Sequence, residues 1–477
     1  MLDAVAAAAW LLRLVAAAFT LAALTTRLRR VLRSKKQTVV AFLHPYAAQG
    51  GGGERVLWVA IAALRRARPD ARIVVYSGDG LSAAELASHA RERFGVAVPA
   101  DLAVQRVASR RLTNAKTWPV ATMAGQALGA VVLAAESVIR LPPDVLVDTT
   151  GLAFGVPLAK LLSGCRAAAY VHYPAVSQDM LDALDAPAFN NARRWTGTLG
   201  RRAKAAYYRA LGRAYGWCGR RHDVVLANST WTRGHIAQVW GRDATLSYPP
   251  CGAMQSLPPR REGDSVIVMS LAQFRPEKNH ALQLEAWALV PRPLRRKAKM
   301  VIAGAARHAD DRVVLDALRA KAATLGLDDV EFLVGAPRDV ILARLASASI
   351  GLHTMRLEHF GIAVVEFMAA GLVPVAHASG GPLLDIVGET GERGFVARDA
   401  AEYAAKLASL LSMDAARRRA LGDRARAFVD DRFSDERFGR TFVAALVAAM
   451  PPRPPIAAPS VLREIEAWQL ANGLVKG

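Results

Sequence analysis

Short apolar, β-branched runs alternate with stretches of helical periodicity, and the alternation happens twice. Residues 37–43, 72–76, 144–148, 167–172 and 223–227 read as strands, with helices such as 54–66 between them. A Pro-rich stretch, YPPCGAMQSLPPRREGD (248–264), interrupts the rhythm, which restarts with strands at 265–271, 299–303, 329–334, 349–353 and 372–376. Strand–helix–strand alternation favours parallel pairing, because each crossover helix carries the chain back over a face of the sheet. The expectation is an α/β chain with two doubly wound, Rossmann-like domains facing a cleft. They cover residues 37–250 and 251–440, after a helix with a basic flank at 1–36 and before a tail, 441–477, with a last helix at 459–471.

From Ala4 to Leu24 the only charge is Arg13. As a helix this stretch would span about 31 Å, the thickness of a bilayer's hydrocarbon. A cleavable signal peptide would open on basic residues, whereas Met1-Leu2-Asp3 opens this chain and the bases follow the helix, so a membrane anchor is expected. Arg13 would cost on the order of 3 kcal/mol at the bilayer centre, which leaves a surface-lying helix open. By the positive-inside tendency the basic flank keeps everything after residue 36 in the cytosol. Residues 119–140 form a second apolar stretch with Glu136 near its end, read as a core helix or a membrane-surface helix, the core slightly favoured.

Lys and Arg outnumber Asp and Glu by 62 to 41. The excess is concentrated: residues 27–36 hold six bases and no acid, and 186–222 hold nine and no acid. The second window alternates with Trp195, Tyr207, Tyr208, Tyr215 and Trp217, a mixture that suits lipid headgroups, with a solvated helix face as the plainer reading. Nucleic acid would instead need a charged groove with base-stacking aromatics. With 52% hydrophobic residues the chain is not mainly disordered. Cys165, Cys218 and Cys251 stand too far apart for a disulfide framework or thiolate zinc site, which suits a reducing compartment.

Three motifs carry chemistry. The strand VVAFL ends in His44-Pro45-Tyr46 and runs into Gly50, Gly51, Gly52 and Gly53 before a helix at Glu54. Glycines admit close backbone approach and a helix N-terminus offers free N–H groups, so a phosphate is the expected guest and a flexible turn the alternative. No Gly-Lys-Ser/Thr follows, which removes the Walker reading. The strand 265–271 runs into Gln273-Phe274-Arg275-Pro276-Glu277-Lys278, two cations where open α/β sheets bind ligands and where a diphosphate leaving group would need charge. After the strand SIGLH comes Glu358-His359-Phe360-Gly361-Ile362, then Glu366, an acidic pair about the entry to a helix. Carboxylates there can accept hydrogen bonds from sugar hydroxyls. There is no Asp-x-Asp pair to hold a metal on a nucleotide diphosphate, so neither metal nor cofactor is expected.

In this order the motifs resemble the retaining GT-B glycosyltransferases of the fourth sequence family. HPYAAQGGGGERVLW, SGCRAAAYVHYPAVSQDML, LANSTW, SLAQFRPEKNH and LHTMRLEHFGIAVVEFMAAG resemble the family's dolichol-pathway α-1,2-mannosyltransferases of the endoplasmic reticulum. The resemblance runs from about residue 38 to 440. It implies GDP-mannose as donor, a trimannosyl-chitobiosyl-diphosphodolichol acceptor on the cytosolic leaflet, and a complex with other mannosyltransferases of that pathway. It implies an acceptor-side first domain and a donor-binding second domain. Arg275 and Lys278 would hold the donor diphosphate, Glu358 the mannose and Glu366 the ribose, with Gly51, Gly52, Gly53, Phe360, Gly361 and Ile362 beside the donor. His172, in YVHYP, matches a family histidine near the sugar; a satisfied core histidine is the alternative. Where many relatives carry Gly-Arg, this chain has Ala272-Gln273, leaving Arg275 to stand in. Arg201, Arg202 and Lys204 are the expected acceptor and membrane contacts. Two rivals stay open: another lipid-directed GT-B transferase, for instance one acting on phosphatidylinositol, and a basic nucleic-acid-binding protein.

Overall fold

The β-branched runs become buried parallel strands, as their near-continuous apolarity requires. The computed structural model describes residues 2–34, 37–177, 197–251 and 265–450. The expected helix at 459–471, residues 252–264 of the Pro-rich stretch and residues 186–196 of the basic window lie outside the described residues. The chain divides into two compact units.

The first unit is built on strands β1 (Val39–Leu43), β2 (Arg72–Ser77), β3 (Ala103–Arg106), β4 (Val145–Asp148), β5 (Arg166–Val171), β6 (Val224–Ala227) and β7 (Thr245–Leu246). They pair in the order β3-β2-β1-β4-β5-β6-β7, all parallel. Strands β3 and β7 escape sequence reading because edge strands are short and only half-buried. The helix Gly52–Ala67 shows why sequence reading succeeds elsewhere. Val56, Leu57, Ala60, Ile61 and Leu64 return to one buried face at helical spacing, and Pro69 follows closely on its end.

The units do not follow chain order. A boundary at 440 and a separate tail were expected, but the chain returns to the first unit at Phe438. In the helix Asp435–Val447, Phe438 packs edge-on to Tyr170 at 5.8 Å and Phe442 stacks on Phe42 at 6.3 Å. Burying each ring contributes roughly 1.5–3 kcal/mol, ample reason for the return.

The N-terminal helix runs unbroken from Leu2 to Ser34. Trp10, Leu14, Val15, Phe19, Leu21 and Leu24 are exposed, while Thr26 is buried. The basic flank, expected to hold the chain on the cytosolic side, also serves the protein itself. Arg27 donates to Leu161 O at the end of the helix Val156–Ser163, and Arg29 to Ile139 O and Arg140 O. Arg30 and Arg33 pair with the buried Asp144 at 3.6 and 3.7 Å. Cations suit helix C-termini, whose last carbonyls lack intrahelical donors.

Among the described residues, the helix Thr122–Arg140 is long and apolar enough to cross a membrane. Its Gly125, Ala130, Leu133, Ala134 and Val138 are nevertheless buried in the unit, and Glu136 accepts from the backbone N–H of Ala108 and Ser109. That face belongs to the core.

The second unit repeats the plan with β8 (Val266–Leu271), β9 (Ala298–Gly304), β10 (Val330–Val334), β11 (Ile350–Leu352), β12 (Val373–His377) and β13 (Phe395–Ala397). The parallel order is β10-β9-β8-β11-β12-β13. In each unit the order reverses between two central neighbours, β1 and β4 in the first, β8 and β11 in the second. Beyond the carboxyl ends of such strands, open sheets bind ligands.

Candidate active site

In the second unit the two central strands deliver the two expected motifs to one place. After β8 the chain makes a tight turn, Pro276–Lys278, closed by Asn279 at φ 50°. Thr354, just past β11, ties this turn down: its hydroxyl lies 3.0 Å from Lys278 O and Asn279 O and accepts from Gln283 Nε2 at 3.0 Å. Lys278 Nζ then reaches Glu358 Oε2 at 2.7 Å. The same carboxylate oxygen lies 3.2 Å from Nε2 of His353, the first residue after β11. Burial alone would raise the Glu358 pKa, but the hydrogen bond and charge of His353 and the charge of Lys278 outweigh it and hold the group well below the usual carboxylate range. Tyr403 fixes the loop by donating to His353 O at 2.8 Å.

Glycine makes the Glu358 loop possible. Gly380 has φ 63°, and a Cβ there would stand 2.3 Å from Glu358 O; next to it Gly381 N donates to the same carbonyl at 2.8 Å. Gly361, at φ 105°, precedes the helix Ile362–Ala369. Ile362 opens that helix and Glu366 lies half-buried a turn further on. Phe360 departs from a ligand-contact reading: its ring is buried against Phe433 at 5.4 Å and Tyr248 at 6.1 Å. Arg275 is also drawn elsewhere, since its Nε lies 3.8 Å from Asp311, which accepts from Arg307 N and His308 N. Lys278 and Glu358 are joined directly; Arg275 is not part of that pair.

In the first unit the helix expected at Glu54 begins two residues earlier, so Gly52 and Gly53 form its first turn. Gly51 precedes the helix Gly52–Ala67, and both Gly51 and Gly52 are exposed. A relay holds them: Thr149 Oγ1, after β4, lies 2.7 Å from His44 Nδ1; His44 Nε2 lies 3.5 Å from Glu54 Oε1; and Gly51 N–H donates to Glu54 Oε2 at 2.5 Å. Burial would raise the Glu54 pKa, yet the hydrogen bond and charge of His44 bring it below its ordinary value. His172, just past β5, shares this corner, for a Cβ on Gly53 would lie 3.5 Å from its Nε2. Its ring also meets Tyr170 edge-on at 5.0 Å.

The trio Arg201, Arg202 and Lys204 is not a single patch. On the helix Gly197–Gly219 the exposed Arg202 and the half-buried Lys204 point about 200° apart, and only the backbone of Arg201 is described. Among the described residues no three His, Cys, Asp or Glu side chains gather as a metal site. Sequence reading missed His353, Thr149 and the His44–Glu54 link. His353 had a signal, as the last residue of SIGLH at a strand's carboxyl end.

Residues 37–240 match the family profile described as ALG11 mannosyltransferase N-terminus, and residues 258–428 match glycosyl transferases group 1. Among solved structures, Anabaena HepE in complex with UDP and glucose aligns at TM-score 0.58 and 16% identity, covering 86% of this chain and all of that one. Sucrose-phosphate synthase from Thermosynechococcus elongatus aligns at TM-score 0.62 and 14% identity, over 92% of this chain and all of that one. Likeness at such identity concerns the fold, which is GT-B. The mouse GDP-Man:Man(3)GlcNAc(2)-PP-Dol alpha-1,2-mannosyltransferase is 40% identical over 429 residues, 86% of this chain and 87% of its own. The human protein of the same name is also 40% identical, over 431 residues, 86% of this chain and 87% of its own. On that identity, over that share of both chains, the protein belongs to the ALG11 mannosyltransferase family.

Proposed function

We propose that the protein transfers mannose from GDP-mannose, in α-1,2 linkage and with retention of configuration, to the trimannosyl-chitobiosyl-diphosphodolichol acceptor. The supporting observation is the Lys278–Glu358–His353 cluster at the reversal point of the second sheet, in a chain of this family. Lys278 supplies positive charge to the donor diphosphate as it departs, helped by the N-terminus of the helix Ile362–Ala369. Glu358, kept ionised by its two partners, accepts hydrogen bonds from mannose hydroxyls, and Glu366 takes the ribose. The bond from the anomeric carbon to the phosphate oxygen breaks while one to the acceptor hydroxyl forms on the same face. The acceptor proton passes to the departing phosphate oxygen, and GDP leaves. In the first unit the helix entrance at Gly51–Gly53 offers N–H groups suited to a phosphate, with His172 beside it.

The N-terminal helix acts as a single-pass anchor in the endoplasmic-reticulum membrane. Its first twenty residues span about 30 Å, and the basic flank holds both units in the cytosol. To test the activity, the full chain in detergent is given GDP-mannose and the lipid-linked trimannosyl acceptor. The product should lose its added mannose to an α-1,2-specific mannosidase. Transfer to phosphatidylinositol in its place, or from another nucleotide sugar, would overturn the assignment.

A further inference from the structure

Beyond the two motif clusters, the first unit has a cavity of about 330 Å³ lined by Arg209, Arg213 and Arg220 together with Ser177 and Gln238. The arginines come to one face by helical arithmetic. Arg202, Arg209, Arg213 and Arg220 are separated by seven, four and seven residues, so about five turns of the helix Gly197–Gly219 and its end return each to the same side. Arg220 is steadied by donating to Trp240 O at 3.3 Å. Among the described residues no carboxylate lies within 4 Å of Arg209 or Arg213; Asp223 pairs with Lys160 and Asp243 with Arg233. One turn beyond Arg213, Trp217 is 47% exposed with the Arg221 guanidinium 4.7 Å over its ring, an amphipathic pairing suited to a headgroup layer.

Three guanidinium forks around a concave space match the oxygens of a phosphate or diphosphate, which they can grip in bidentate fashion. We infer that this cavity holds the diphosphate joining the acceptor's glycan to its lipid, a reading that rests on the function proposed above. A diphosphate esterified at both ends still carries two negative charges, and the arginine cavity offers them partners. Phospholipid phosphates share the chemistry and are the competing source.

The test compares wild type with Arg209→Ala/Arg213→Ala and Arg209→Lys/Arg213→Lys. Both side chains are exposed, so the fold should survive, with the KM for GDP-mannose as the check. In neutral detergent without phospholipid, the alanine pair should raise the KM for a phytanyl-diphosphate-linked trimannosyl acceptor tenfold or more. It should also collapse the enzyme's preference for that acceptor over the same glycan on an uncharged octyl chain, and the lysine pair should recover part of it. An unchanged preference would overturn the assignment. So would loss of flotation on phosphatidylinositol-containing vesicles with the detergent KM intact, which would assign the cavity to headgroups. Direct titration with geranylgeranyl diphosphate separates the two readings. If wild type binds this probe through Arg209 and Arg213 but transfers no mannose, the proposed function fails and the anion site stands.

Discussion

Replacing Lys278 by Ala isolates the charge around which the proposed donor site is built. Its Nζ stands 2.7 Å from Glu358 Oε2, with side-chain exposures of 25% and 14%. A charge-assisted hydrogen bond of this kind contributes about 1.5–3 kcal/mol, and the quarter exposure of Lys278 brings the expected stability loss down to about 1–2 kcal/mol. His353, 3.2 Å from the same oxygen, keeps Glu358 from being left alone. The loss in the transition state should be larger, because negative charge develops on the departing diphosphate where the cation is already positioned to meet it. Removing one preorganised stabilising group costs about 2.7–4 kcal/mol, or roughly 10²–10³ in kcat. The assay is kcat for mannose transfer alongside urea unfolding, with Lys278→Arg to restore charge. A Lys278→Ala enzyme that is folded and turns over within about threefold of wild type would refute the role of this residue.

His280 is buried, and burial, then the charges of His353 and Lys278, pull its pKa down to about 4. Because the folded value is depressed, the unfolded chain binds the proton first; stability is full above the ordinary histidine value of 6.5 and falls as pH drops towards 4. His280→Leu should flatten that decline, worth up to about 3 kcal/mol, in unfolding measured across this window; an unchanged slope would show that other groups carry it. In the first unit, Glu54→Ala should weaken catalysis about tenfold and Glu54→Gln less, since the amide can still accept from Gly51 N–H. The reverse order in kcat/KM would remove the relay from the loop's support. Finally, transfer should persist in EDTA, because Lys278 and a helix N-terminus supply the positive charge; activity abolished by EDTA and restored by manganese would contradict this.

Much of each candidate cluster was legible because its parts are short and contiguous. Gly50–Gly53, Gln273–Lys278 and Glu358–Glu366 each follow an apolar run, and each announces a strand ending in a loop rich in chemistry. The partners of those residues were not legible. Lys278 meets Glu358 because β11 pairs with β8, although 80 residues separate them. Thr149 meets His44 across 105 residues for the same reason in the first sheet. Arg275 stood in sequence as a substitute for the family arginine replaced by Gln273, yet Asp311, on the helix after β9, draws it aside.

By itself the sequence determined the strand and helix rhythm, the two-unit α/β plan and the glycine-opened helix. These depend on side-chain spacing and backbone freedom within a few residues. Tertiary structure alone decided which strands are neighbours, and so which loops share a site. It likewise sent Phe438 and Phe442 back to the first unit's core and turned the basic flank of the N-terminal helix onto Asp144 and helix-end carbonyls. Those outcomes follow from burial of apolar rings and pairing of charges between segments distant in the chain, which no local window of residues records.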